Sequence, residues 1–144
     1  MKVLIDSNVI LDVLLNRSSF YTNSRKVFEL AEKKQVAGHI SASAMTDIFY
    51  ITRKELKDNE SVYKAIEILV ALFIIIPVTE TTIAKAVALR WQDFEDAVQY
   101  TAAQENGITC IVTRDEADYK TAGIQCMSPF EFVAHAQLLQ NTGL

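Results

Sequence analysis

The sequence predicts an α/β layer fold in a single domain, residues 1–144, with about five strands, mainly parallel, joined by helical crossovers. Three observations carry this. Short apolar runs alternate with longer amphipathic segments along the whole chain. Each strand-like run is followed by a helix-length segment, the order expected of parallel strands. Val3-Leu4-Ile5 and Cys110-Ile111-Val112 are apolar without alternation, as strands covered on both faces are. Half of the 144 residues are hydrophobic, enough to fill a core.

The elements follow in order. Val3 to Ile5 is the first strand, and Ser7 is placed to cap a helix over Val9 to Leu15. Asn8 and Asp12, four apart, share a face of that helix. Residues 16–23 are a polar break. A second helix runs to about Gln35, with Val27, Leu30 and Ala31 as its apolar seam. Gly38 to Ser41 reads as a strand. Ser43 is placed to cap a third helix with the seam Met45, Ile48, Phe49, Thr52 and Leu56. Asp58-Asn59 is a turn that restarts a helix to about Leu72. The β-branched run Phe73 to Val78 reads as a strand that Pro77 ends or places at an edge. Thr79 or Thr81 caps a helix to about Arg90. Another helix runs from Asp93 or Phe94 to Asn106, with Gly107 at its C-terminus. Thr109 to Thr113 is a buried strand, and Arg114 to Tyr119 a polar turn. Ile124 to Met127 is the last strand. Ser128-Pro129-Phe130-Glu131 is a capping-box pattern with proline at the first helical position, opening a helix to about Leu139.

The formal net charge of −4 argues against a nucleic-acid partner, but the charge is uneven. Residues 17–57 hold eight basic side chains (Arg17, Arg25, Lys26, Lys33, Lys34, Arg53, Lys54, Lys57) against four acidic ones (Glu29, Glu32, Asp47, Glu55). Residues 58–105 hold three basic against eight acidic. Such asymmetry suits a basic surface beside an acidic pocket, and equally suits ordinary solvated helix faces. Cys110 and Cys126 lie in apolar runs and read as reduced core residues. The opening Met1 to Asp6 lacks signal-peptide architecture, and the apolar run Ile68 to Val78 is shorter than the ~20 residues a membrane helix needs. A cytoplasmic protein with no membrane partner is expected.

Phosphate-cradling loops are excluded by motif: there is no GxGxxG and no GxxxxGK[ST], and only four glycines. No Cys/His cluster has zinc spacing. His39 and His135 are isolated and read as structural or solvated. What remains is carboxylates. Asp6 and Asp115 follow the strands at 3–5 and 109–113, at the strand ends where α/β sheets bind ligands. Asp93 and Asp96, three apart, share the first turn of a helix. Asp47 sits on the shoulder of an apolar helix seam, and Asp118 ranks second to Asp115. Each has a structural role open to it: Asp6 as a cap, Asp115 in a turn, Asp47 facing solvent, and Asp93 or Asp96 stabilised by the helix dipole by ~0.3–1 kcal/mol. The ordered set is the signal. Two carboxylates ~5 Å apart repel by ~3 kcal/mol at an effective dielectric of about 20. Protonation of one member relieves this, and a hard divalent cation relieves it better. All-oxygen donors suit Mg²⁺ or Mn²⁺. Such ions orient a water, lower its pKa and stabilise charge on a phosphodiester, which is nuclease chemistry.

Here the residues resemble a family. Val3-Leu4-Ile5-Asp6-Ser7-Asn8, Asp93-Phe94-Glu95-Asp96-Ala97, Ile111-Val112-Thr113-Arg114-Asp115 with Asp118-Tyr119, and Met127-Ser128-Pro129-Phe130-Glu131-Phe132 resemble the PIN-domain ribonucleases. The whole looks similar to the VapC-like toxins of bacterial toxin–antitoxin pairs. The resemblance implies a three-layer α/β/α fold and a metal-dependent endoribonuclease. It places Asp6, Asp96 and Asp115 as metal-binding catalytic acids. Asp47 stands where the family commonly has glutamate, one methylene longer, and Asp93 is a further metal candidate. Asn8 and Thr113 would support the site. Arg53, Lys54 and Arg114 would contact RNA. An antitoxin partner and a homodimer are also implied. Asp6→Asn is expected to leave the fold nearly intact, and more stable without metal.

Two other readings compete. One is a non-catalytic PIN-like module that binds protein, which Asp47 in place of glutamate leaves open. The other is an aspartate-based phosphotransfer protein using Asp6 as nucleophile. A dehalogenase-type phosphatase would want aspartate two residues later, where Asn8 stands. A receiver domain would want a lysine after a late strand, where Arg114-Asp115 stands.

Overall fold

The computed structural model describes residues 1–119 and 124–142. Five parallel strands, β1 (Lys2–Ile5), β2 (Ala37–Ser41), β3 (Ile74–Ile76), β4 (Cys110–Val112) and β5 (Gln125–Met127), form one sheet in the order β3-β2-β1-β4-β5. Between them run α1 (Ser7–Leu14), α2 (Tyr21–Glu32), α3 (Ala42–Leu56), α4 (Asn59–Leu72), α5 (Glu80–Leu89) and α6 (Phe94–Glu105), with α7 (Pro129–Asn141) after β5. This is the expected α/β architecture. Among the described residues no helix is long and apolar enough to cross a membrane.

The inner strands β2, β1 and β4 are buried on both faces over most of their length, and the alternation of side chains divides the core into two layers. Val3, Ile5, Ile40, Cys110 and Val112 face a core completed by α1, α2, α3 and α7. Leu4, Ile76 and Ile111 face the opposite core, with Tyr100, Ala102 and Ala103 of α6. Fully buried Leu4, Ile10, Ile40, Ile48 and Phe132 each contribute roughly 1.5–3 kcal/mol of apolar burial. At Gly38 of β2 the ring of Phe73 comes so close that a Cβ would stand 2.6 Å from it. Gly107 takes φ 68° just past the end of α6, a left-handed position that favours glycine.

The caps differ from expectation at two helices. Asp6, not Ser7, is the N-cap of α1, and it makes no side-chain cap bond; its carboxylate is engaged elsewhere. Ser41, not Ser43, caps α3, accepting from the Ala44 amide at 3.2 Å. In α3 the buried residues are Ala44, Ile48 and Thr52, and Leu56 is exposed because the helix outruns the layer it packs on. The second helix ends at Glu32 rather than near Gln35, closed by Lys34 at φ 56°. Thr79 caps α5 by reciprocal bonds with Thr82. Ser128 caps α7 through the Glu131 amide. The strand order reverses at β1, which lies between β2 and β4. The crevice beyond the carboxyl ends of β1 and β4 is therefore where a ligand site is expected.

Candidate active site

Asp6 enters that crevice directly from β1, its amide bound to the Val112 carbonyl at 2.9 Å. The carboxylate is buried and surrounded by donors. Oδ1 accepts from Gln99 Nε2 at 3.1 Å and Ser7 Oγ at 3.3 Å. Oδ2 accepts from Thr113 Oγ1 at 2.7 Å and lies 3.2 Å from the Tyr119 hydroxyl. A carboxylate has about four acceptor positions, and neutral donors address all of them.

Asp96 comes to the same place from the first turn of α6. Asp93 aims this turn: as N-cap it accepts from the Asp96 amide at 3.1 Å. The Tyr119 hydroxyl stands 3.1 Å from Asp96 Oδ1, and so bridges Asp6 and Asp96. One hydroxyl proton cannot serve both carboxylates. The second bond needs a proton on a carboxyl, and Asp96 is disposed to hold one. Burial, then the charges of Asp6 and Asp93, push its pKa up to about 7, against a lowering by the Tyr119 bond. Burial, then the charges of Asp6 and Asp96, drive the Tyr119 phenol far above its ordinary range.

Glu95 faces the cluster as well. Burial raises its pKa to about 7, followed by the charge of Asp47, a proton shared with Asp47, and the charges of Asp6 and Asp93. The half-buried Asp47 thus meets Glu95, and the Asp47–Glu95 pair approaches Asp6. Among the described residues no three His, Cys, Asp or Glu side chains are already arranged to hold a metal ion. The Tyr119 hydroxyl and the Gln99 amide stand among them instead.

Asp115 is placed differently from the other acids. It is exposed, its carboxylate accepts from Asn8 Nδ2 at 3.1 Å, and its own amide donates to Thr113 Oγ1 at 3.0 Å. Asn8 also reaches Thr113 Oγ1 at 3.4 Å and accepts from the Arg114 amide at 3.3 Å. Asn8 and Thr113 therefore tie the end of β4 to the start of α1. Asp118 is a later acid whose charge acts on Asp96. With Asp93 and Trp91 it lines a cavity of about 690 Å³.

Three basic residues considered for RNA contact fall in two places. Arg114 turns inward: its Nε donates to the fully buried Asp12 at 2.9 Å, and its guanidinium lies 3.9 Å over the Phe20 ring. Arg53 and Lys54 are exposed near the far end of α3, ~9–10 Å beyond Asp47 along the helix axis. They line a separate cavity with Tyr50 and Lys57.

Sequence reasoning missed Gln99, Glu95 and Tyr119. Gln99 gave a signal: a glutamine three residues after Asp96 shares its helical face. Glu95 stood in the Asp-Phe-Glu-Asp run with no role of its own. Tyr119 belongs to a loop whose burial depends on Trp91, 6.3 Å away, and no local pattern shows that.

The family model described as PIN domain matches residues 2–117. The chain is 26% identical over 136 residues to Ribonuclease VapC1 of Aquifex aeolicus, covering 91% of this chain and 92% of that protein. Its fold is similar to VapC20 of Mycobacterium tuberculosis, a sarcin-ricin loop cleaving toxin. That match has a TM-score of 0.68 at 12% identity, covering 85% of this chain and 97% of the other. It is also similar to a chain of VapBC2 from Rickettsia felis, solved bound to a DNA fragment from their promoter. Here the TM-score is 0.67 at 16% identity, covering 89% and 98%.

Proposed function

This chain belongs to the PIN-domain family, and from that premise we propose that it is a divalent-metal-dependent endoribonuclease and the toxin of a bacterial toxin–antitoxin pair. The observation that carries the reading is the meeting of Asp6 and Asp96 at the strand-order reversal, joined through one hydroxyl. The likeness to a VapC ribonuclease over nine-tenths of the chain supports the RNA substrate.

The donor set fits Mg²⁺ or Mn²⁺ by its chemistry. It is all oxygen, with no thiol or imidazole. Asp96, and Glu95 beside the set, have pKa values near 7 because burial and neighbouring acids oppose their charge. Asp6, Asp96, Asp47 and Asp115 would hold the ion, with Asp93 as a further ligand. When bound, it supplies charge neutralisation and acidifies a water. This chain's own residues do the positioning. Thr113 and Gln99 fix the Asp6 carboxylate, and Asn8 fixes Asp115. The attacking water's oxygen bonds to phosphorus, the ester P–O bond breaks, and the departing oxygen takes up a proton. Arg53 and Lys54 would meet phosphates farther along the strand, positioning it without reading sequence. Tyr63, Ile68, Val70 and Ile74, all more than half exposed, supply apolar surface for an antitoxin or a second copy.

The test is cleavage of structured RNA with Mg²⁺ or Mn²⁺. Wild type cuts, EDTA stops it, and Asp6→Asn is inactive. Cleavage indifferent to both interventions overturns the mechanism. A non-catalytic module is the second reading, favoured by the neutral donors that already occupy Asp6. Calorimetric titration with Mn²⁺ separates the two, since a module of that kind shows no saturable binding.

A further inference from the structure

Beside the acids lies a second cavity, of about 410 Å³, lined by Phe20, Asn23, Ser24, Arg114, Pro129 and Phe130 among others. Its chemistry is opposite to theirs. Phe130, in the first turn of α7, is 66% exposed, and Phe20 is 43% exposed. Phe20 has a structural role, since the Arg114 guanidinium stacks on it. Phe130 has no such role: it is the most exposed large hydrophobic residue among those described.

Arg114 is fixed rather than mobile. Asp12, fully buried, holds its Nε, while Ser24 Oγ donates to the same Asp12 oxygen at 3.0 Å and Arg17 approaches the other at 3.6 Å. Among the described residues no acceptor meets the two terminal nitrogens of Arg114. The cavity thus offers an aromatic face, a guanidinium plane and a fork of donors. It adjoins the acids through the chain: the Arg114 amide bonds to Asn8, which also donates to Asp115, the next residue.

We propose that this cavity is a nucleobase subsite. It takes one unstacked base of single-stranded RNA, next to the nucleotide whose phosphate lies at the acids. The base stacks on Phe130, and the Arg114 fork reads its acceptor edge. A planar fork pairs best with two adjacent acceptors, which among the bases is the O6/N7 edge of guanine. Stacking on aromatic side chains is the general means of holding single-stranded RNA. The inference rests on the ribonuclease reading for its substrate class.

The experiment is fluorescence anisotropy in EDTA, where no cleavage occurs. It uses labelled octamers of uridine with guanine, adenine or cytosine at one central position. The guanine octamer binds most tightly. Phe130→Ala weakens it about tenfold, Phe130→Tyr restores it, and Arg114→Lys erases the guanine preference. Equal affinities for all octamers, unchanged in Phe130→Ala, overturn the subsite and leave the cavity to a protein side chain. RNA cleavage by wild type is measured in parallel with Mn²⁺. If wild type cleaves and Phe130→Ala matches its KM and base preference, the subsite fails and the ribonuclease reading stands. If wild type does not cleave yet base-dependent binding persists, the ribonuclease reading fails alone.

Discussion

Gln99 Nε2 lies 3.1 Å from Asp6 Oδ1, a buried bond from α6 to the end of β1 across 93 residues of sequence. It makes the Asp6 carboxylate a fixed object rather than a free side chain. The same amide nitrogen reaches the Tyr119 hydroxyl at 3.0 Å, while Gln99 Oε1 is buried with no partner among the described residues. The acids are therefore held in a frame of neutral polar groups.

Asp6→Asn should remove cleavage and also lower stability. An asparagine offers one acceptor oxygen to a site that presents four donors, and its own amide points donors at donors. Leaving buried donors unmet costs about 1–3 kcal/mol. Thermal unfolding in EDTA should show a fall of several degrees. A rise would mean that relief of acid repulsion outweighs the lost bonds.

Tyr119→Phe keeps the ring that packs near Trp91 and deletes the hydroxyl between Asp6 and Asp96. The expected loss is about 1–2 kcal/mol, read as a lower urea midpoint at an unchanged slope. An unchanged midpoint would show that water replaces the hydroxyl without cost.

The metal-free protein should be more stable at pH 5.5 than at pH 8. Asp96 and Glu95 have pKa values raised from 3.8 and 4.5 to about 7. Between about pH 4 and 7 the folded state binds more protons than the unfolded one, so stability falls as pH rises through that window. With solvent screening at the partly exposed Glu95, the change is about 2 kcal/mol. Melting in EDTA across this range checks the sign, and Asp96→Asn should flatten the profile.

Asp12→Asn removes the charge that holds Arg114 and approaches Arg17. Both arginines are partly exposed, so the cost sits near the low end for a broken buried pair, about 3 kcal/mol. Chemical denaturation measures it. A near-neutral result would mean that both guanidiniums turn out to solvent.

Glu95→Gln should weaken Mn²⁺ binding about tenfold in a calorimetric titration, as removal of a supporting group beside ligands does. Its carboxylate faces Asp47, and it adds negative charge where Asp47 is a methylene shorter than the usual glutamate. Unchanged affinity would place Glu95 outside the ion's reach.

Local pattern determined the frame of this protein. The five strands, their parallel order of connection, and the helices following β1, β2, β3 and β5 are legible because burial on two faces and 3.6-residue seams are written in neighbouring residues. So are the positions of Asp6 and Asp96 at element ends, the Ser128 cap, and Thr79 as one of two candidate caps. The Asp93 cap and the true caps Asp6 and Ser41 needed the backbone, since each competes with a serine or acid one to three residues away. Only the tertiary structure decided what the acids touch. Tyr119 meets Asp6 across 113 residues, and Arg114 meets Asp12 across 102. The charge of Asp118 acts on Asp96. Such pairs depend on which strands lie side by side and in what register, and on which loop folds inward. No periodicity encodes these, because the interacting atoms share no stretch of chain. The sign of the stability change at Asp6→Asn turns on the same point: by sequence the substitution relieves repulsion, whereas four donors from four parts of the fold make it a loss.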